Sequence, residues 1–193
     1  MGEQMDNIGF YSEDELKQMG IMKFGKNVLI SKKCSIYNPE KIEIGNNVRI
    51  DDFCILVGKI KMGRNIHIGA FCHLSGGETG IEIMDYAGLS QRCSLYAQSD
   101  DYSGKTMTNP TIPTEYKAVN KGKIILNKHT IIGSTSVILP GVIIGEGASV
   151  GAMSLVNKSI ESWSVNCGIP CRRVGDREKE ILKLEKEYEE IYG

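Results

Sequence analysis

The sequence predicts an all-β solenoid, a coil of short parallel strands stacked rung on rung. Three observations predict it. A bulky apolar residue recurs every sixth position through most of the chain. Extra residues enter between coils at one place only. The residues around the recurring positions sort into columns.

The stretch "IIGSTSVILPGVIIGEGASVGAMSLV" from Ile131 shows the pattern. It is too apolar for a loop, too rich in Gly and Pro for a helix, and lacks strict strand alternation. Anchors fall at Leu126, Ile132, Ile138, Ile144, Val150 and Val156. The same register gives Phe24, Ile30, Ile36; Ile44, Ile50, Leu56; Met62, Ile68, Leu74; and Ile83, Leu89, Leu95. Within each group of three the step is always six. Additions follow third anchors alone: "YNPEK" after Ile36, "SGGETG" after Leu74, and a long insert after Leu95. A coil with three faces and three corners therefore takes its insertions at one corner. Six rungs about 4.8 Å apart rise about 29 Å.

The columns support the same geometry. Two residues before the first anchors stand Met22, Ile42, Ile60, Ile81, Ile124 and Val142, all apolar. Before the third anchors stand Cys34, Cys54, Cys72, Cys93, Ser136 and Ser154, a column of small side chains. The cysteines are read as reduced corner fillers, because parallel Cβ vectors are poor for bridging. Asn27, Asn47, Asn65 and Gly147 recur three residues after first anchors, and both residue types tolerate positive φ.

A single coil cannot bury its own apolar face, so the ends of the stack need covers. Residues 1–22 supply an N-terminal helical cap. In "YSEDELKQMG", Ser12 is the N-cap, Glu15 completes a capping box and Gly20 is the stop. The β-helix spans 23–160, with an arm loop over 96–123. The extension 161–193 ends in a helix with Ile181, Leu184, Tyr188 and Ile191 at helical spacing, to pack on the stack or on a neighbouring subunit.

Composition excludes several classes. The chain is 41% hydrophobic and 24% charged with a net charge of −1, so neither disorder nor a broad nucleic-acid surface is expected. No apolar run approaches a membrane span of about 20 residues. The acidic opening "MGEQMD" has no leader core and no Ser or Thr at its sixth residue, so neither secretion nor myristoylation is expected. The expectation is a cytoplasmic protein.

These repeats resemble the hexapeptide-repeat acyltransferases over about residues 24–174, most strongly in "ILPGVIIGEGASVGAMSLV" and the ending "NKSIESWSVNCGIPCRRV". The layout is similar to the galactoside and maltose O-acetyltransferases and to sugar acetyltransferases of polysaccharide synthesis. The resemblance implies a left-handed parallel β-helix of about six coils, a homotrimer, acetyl-CoA as donor without a metal, and a small sugar or nucleotide-sugar acceptor. It implies a site between two subunits, walled by the arm. It places the donor along Ser134 and Ala152, with Asn157 and Lys158 at a family step and Arg172 near the nucleotide phosphates; Arg173 and Arg177 are possible helpers. A guanidinium suits phosphate through paired hydrogen bonds.

The chain departs from the galactoside enzymes at the general base. Where they carry a His beyond the anchor that precedes the arm, this sequence has Asp100, within "QSDDYSG". Three accounts stand. Asp100 or Asp101 is the base; or His73, one coil from Leu95 on the face of Ser94, reaches the site; or the acceptor is an amine that needs no strong base. Two other functions share the scaffold. A γ-carbonic-anhydrase-like hydratase would need His67, His73 and His129 to converge on a metal, and their spacing puts them on different faces or corners. A non-catalytic assembly protein would need no site at all.

Overall fold

The computed structural model describes residues 9–192. The opening eight residues, read above as carrying no leader, lie outside the described residues. The described residues form a left-handed parallel β-helix of about seven turns with two α-helices.

The three anchor columns stack in register. On the first face the ladder runs Phe24, Ile44, Met62, Ile83, Leu126, Ile144. On the second it runs Ile30, Ile50, Ile68, Leu89, Ile132, Val150. On the third it runs Ile36, Leu56, Leu74, Leu95, Ile138, Val156. Every anchor beyond the first coil is buried, as is Ile30, while Phe24 and Ile36 pack half-buried at the lower end. The columns are continuous because the backbone hydrogen bonds of the strands join one coil to the next, so a side chain sits over its own counterpart.

Corners take the left-handed backbone that a tight turn requires. Three residues after the first anchors, φ is positive at Asn27, Asn47, Asn65, Tyr86, His129 and Gly147. Asn27 Nδ2 donates to Asn47 Oδ1, and Asn47 to Asn65, so side-chain amides run up this corner as a ladder. His129 is the corner residue its position suggests. The cysteine column is also as read: all six cysteines are unpaired. The thiols of Cys34, Cys54 and Cys72 donate to the carbonyls of Asp51, Gly69 and Ser90 on the coil above, at 3.1–3.2 Å. Ser136 Oγ does the same to Gly151 O at 3.1 Å. Thiol and hydroxyl thus fill one role, a small donor against the next turn.

Helix α1, Glu13–Met19, covers the lower end. Ser12 Oγ accepts from Glu15 N and Glu15 Oε2 accepts from Ser12 N, the reciprocal cap expected. Gly20 closes the helix at φ 83°. Leu16 is buried within the core cluster. The upper end differs from the six coils predicted. Ile160 bridges to Ile144, and the strand Ser164–Cys167 pairs with the second face, forming a seventh, incomplete coil. Asn166 takes the place of an aliphatic anchor above Val150, and its buried amide donates to Ser149 O and Ser164 Oγ. Strand Arg172–Asp176 then turns back antiparallel to Ser164–Cys167, which ends the parallel stacking.

The arm leaves from the third corner. It is less irregular than its sequence suggests: Gln98–Ser99 pairs antiparallel with Asn120–Lys121, and a short 3-10 turn spans Thr114–Tyr116.

Leu95→Ala should destabilise the protein by about 2–5 kcal/mol, because a mid-stack cavity cannot collapse without breaking register. Gln18→Ala, on the exposed side of α1, should stay within about 0.5 kcal/mol. Urea unfolding of the two variants checks the contrast.

Candidate active site

Two clefts carry the polar side chains that the sequence singled out. The first, of about 720 Å³, lies under the arm and is lined by Asp100, Asp101, Asn120, Leu139, Pro140 and Asn157. The ladder Gln98–Ser99/Asn120–Lys121 delivers both aspartates to it. Asp101 is committed to a turn: its carboxylate accepts from Ser103 N at 2.9 Å, Ser103 Oγ at 2.8 Å and Thr106 Oγ1 at 3.1 Å. These bonds, the backbone one foremost, hold its pKa below the usual carboxylate value, which makes it a poor base. Asp100 is freer. Its Oδ2 accepts from Asn109 N at 3.1 Å, and its other oxygen has no hydrogen-bond partner among the described residues.

His73 stands in register between Ile55 and Ser94 on the third face, as expected. Its ring meets Tyr96 edge-on at 5.3 Å. Burial lowers its pKa and favours the neutral imidazole. The structure packs His73 on an aromatic ring and gives it no hydrogen bond to either aspartate.

The second cleft, of about 750 Å³, opens on the second face and is lined by Asp51, His67, Gly88, Ser90, Gln91 and Ser134, among others. At one edge Asp51 Oδ2 lies 2.8 Å from His67 Nε2, while Arg49 Nε donates to Oδ1 at 2.7 Å. Burial alone would raise the Asp51 pKa, but the bonds from Arg49 and His67 outweigh it and hold the carboxyl low. Sequence reasoning weighed His67 only as a metal ligand and missed this pair. The information was present: Asp51 follows a second anchor and His67 precedes the next one up, which makes them neighbours.

The residues expected along the donor divide between the clefts. Ser134 lines the second-face cleft and Ala152 stacks one coil above it, where Met153 N donates to Ser134 O at 2.8 Å. Asn157 joins Asp100 in the arm cleft. Lys158 and Arg172 are exposed near the top of the stack, and Arg172 Nη1 donates to Cys171 O. Arg173 pairs with Asp176. Arg177 Nη1 donates to the carbonyls of His129 and Gly147 at 2.8 and 2.9 Å, which ties the returning chain to the stack at the second-face cleft that Arg177 also lines. Burial pushes its pKa down. The three histidines stand on the second face, the third face and the first corner. Among the described residues no three His, Cys, Asp or Glu side chains are placed to hold a metal.

No family model matches the chain. A protein of Escherichia coli described as dTDP-4-amino-4,6-dideoxy-D-glucose acyltransferase is 42% identical over 180 residues, 92% of this chain and 94% of that one. The chain belongs to this acyltransferase family. AntD, an N-acyltransferase from Bacillus cereus, solved with dTDP and 3-hydroxybutyryl-CoA, is 54% identical, with a TM-score of 0.93 over 94% of this chain and 97% of that one. A maltose O-acetyltransferase from Clostridium difficile shares the fold at 22% identity and a TM-score of 0.56, covering 93% of this chain and 80% of that one.

In this acyltransferase helix α2, Ile181–Tyr192, closes one end of the second-face cleft. Glu185 receives Lys128 and, at 2.9 Å, His129 Nε2. Arg64 pairs with both Glu189, at 2.6 Å, and Asp85. Tyr86 stacks on His129 at 5.1 Å and meets Tyr188 edge-on. No α2 side chain is fully buried, so polar contacts carry much of the docking. Burial alone would raise the Glu185 pKa; hydrogen bonds from Lys128 and His129 prevail and hold it below its ordinary value of 4.5. A depressed carboxylate stabilises docking above the free helix's value and loses that contribution as pH falls through the docked value. Hydrogen-exchange protection of α2 should therefore decline on acidification. Glu185→Gln should show the lower protection already at neutral pH, and equal protection in both proteins would contradict the assignment.

Proposed function

We propose that the enzyme transfers an acyl group from acyl-CoA to the amino group of a dTDP-linked 4-amino sugar. The observation that carries this reading is the near full-length similarity to the Escherichia coli dTDP-4-amino-4,6-dideoxy-D-glucose acyltransferase and to AntD, which has been solved with dTDP-4-amino-4,6-dideoxyglucose and coenzyme A. An amine acceptor also fits the missing histidine base, because a carboxylate, Asp100 of the first account left open by the sequence, suffices to take the proton that the nitrogen sheds.

The neutral amine attacks the thioester carbonyl carbon through its lone pair. The C–N bond forms, the C–S bond breaks, and CoA leaves as the thiolate. The proton shed by the nitrogen passes to the free oxygen of Asp100 and on to solvent. Backbone amides beside the arm hold the developing oxyanion. Ser134, Ala152 and Asn157 line the donor's path, with Lys158 and Arg172 toward its phosphates. Asp101 shapes the arm and His73 packs its base.

Structures of AntD include replacements of one serine and of one aspartate ten residues further on. Here Ser90 and Asp100 have that spacing and border the two clefts, whereas Ser75 and Asp85 share the spacing but Asp85 is tied to Arg64. We read the working site as one chain's arm cleft joined to the second-face cleft of a neighbour in a homotrimer. Exposed Phe53, Phe71 and Met153 on one corner suit such packing. Six unpaired cysteines suit a reducing, cytoplasmic setting.

Thiol release from acetyl-CoA and 3-hydroxybutyryl-CoA should proceed with dTDP-4-amino-4,6-dideoxyglucose and not with maltose. Asp100→Asn should lower kcat by about 10²-fold or more. Asp101→Asn should act mainly on thermal stability of the arm. Equal turnover of the hydroxyl acceptor, or an unchanged rate in Asp100→Asn, would contradict the proposal.

A further inference from the structure

Gly88 occupies an outward position on the second face where neither backbone nor crowding calls for glycine. Its φ lies outside the left-handed region, and an added Cβ would meet nothing closer than His67 O at 3.6 Å, ordinary contact. Other stack glycines are confined: a Cβ at Gly45, Gly133 or Gly145 would come within 2.3–2.4 Å of the backbone of the next coil. Among the described glycines only Gly88 and Gly175 are free of both constraints.

The outward column around Gly88 carries a side chain at every rung except this one. It runs Leu29, Arg49, His67, Gly88, Ile131, Ser149, Val165. Gly in a strand loses packing and costs conformational entropy, and a β-branched residue would serve the sheet better. The missing side chain leaves a notch one rung high, flanked by His67 and Ile131, in the second-face cleft. His67 is fixed there by its bond to Asp51, and Arg49 fixes Asp51 in turn. Its Nδ1 has no hydrogen-bond partner among the described residues. Ser90 and Gln91 add a hydroxyl and an amide along the same cleft, and Ser134, one coil up, stands where the donor's path as proposed above begins.

We infer that Gly88 is a specificity-determining position whose bare backbone is the floor on which a ring of the nucleotide-linked acceptor lies, between His67 and Ile131. This rests on the acceptor being a dTDP-linked amino sugar, as proposed above. A flat ring needs close approach to backbone, which only glycine allows. Hydroxyl, amide and imidazole groups suit a ring bearing hydroxyl, amino or carbonyl substituents. The donor fits less well at this notch, because exposed Lys158 and Arg172, the cations assigned above to its phosphates, stand higher on the stack; Arg177 lines the cleft, with its Nη1 held by two carbonyls.

Gly88→Ala and Gly88→Val test this in the full-length protein by calorimetric titration with three probes: dTDP, dTDP-4-amino-4,6-dideoxyglucose and coenzyme A. Both variants should melt at or above the parent temperature. Gly88→Val should weaken dTDP-4-amino-4,6-dideoxyglucose by about tenfold or more, Gly88→Ala by less, with coenzyme A affinity held within about twofold. The dTDP arm separates the two rings of the acceptor: an equal loss for dTDP puts the nucleotide ring on Gly88, and an unchanged dTDP affinity puts the sugar there, either supporting the inference. Unchanged affinity of Gly88→Val for the nucleotide sugar, or a loss confined to coenzyme A, would overturn it while leaving the proposed reaction standing. If the parent protein binds coenzyme A but neither nucleotide, the proposed reaction falls and this inference with it.

Discussion

In-register parallel stacking is the constraint on which everything else depends. Each rung bonds only to the rungs above and below, so every anchor must sit over its counterpart. Ile50 over Ile30 and Ile68 over Ile50 is one such column. A one-residue slip inside a coil would turn the buried set outward. That is why the six-residue step holds within coils and why extra residues collect at a single corner. The apolar columns supply the burial, and small corner residues let the coils approach closely enough to make it.

The same constraint positions the chemistry. Residues distant in sequence become neighbours when they lie at adjacent places on successive coils. Asp51 and His67 meet in this way, as do Ser134 and Met153. The one corner that tolerates insertion is where the arm leaves, so variable function sits on an otherwise uniform prism. Repetition also has to stop. At the top Asn166 replaces an aliphatic anchor, and an antiparallel strand consumes the next row of backbone groups. At the base Leu16 on α1 covers the first coil.

The sequence was most legible where periodicity dictates contact. The anchors, the corner residues of positive φ, the cysteine column and the capping box all follow from local spacing, and the structure has them where spacing puts them. The seventh coil was not legible, because Asn166 breaks the apolar pattern and is buried only through bonds to Ser149 and Ser164. The site was legible in part. Asp100 and Asn157 meet in one cleft, as the arm's point of departure implies. The turn that consumes Asp101 depends on Ser103 and Thr106, and "SDDYSGKT" alone does not say which aspartate it takes. The hold of Arg177 on two carbonyls and of α2 on Lys128 and His129 depends on where the chain returns after the last coil, which no repeat encodes.

The most direct measurement inserts one alanine at two places and follows thermal unfolding by circular dichroism. After His67 the insertion falls inside a rung; after Ile112 it falls near the middle of the arm. Strict register predicts that the first variant loses its cooperative transition and that the second melts with the parent protein. Were the rung insertion to melt like the parent, stacking register would not be what holds this fold or aligns its site.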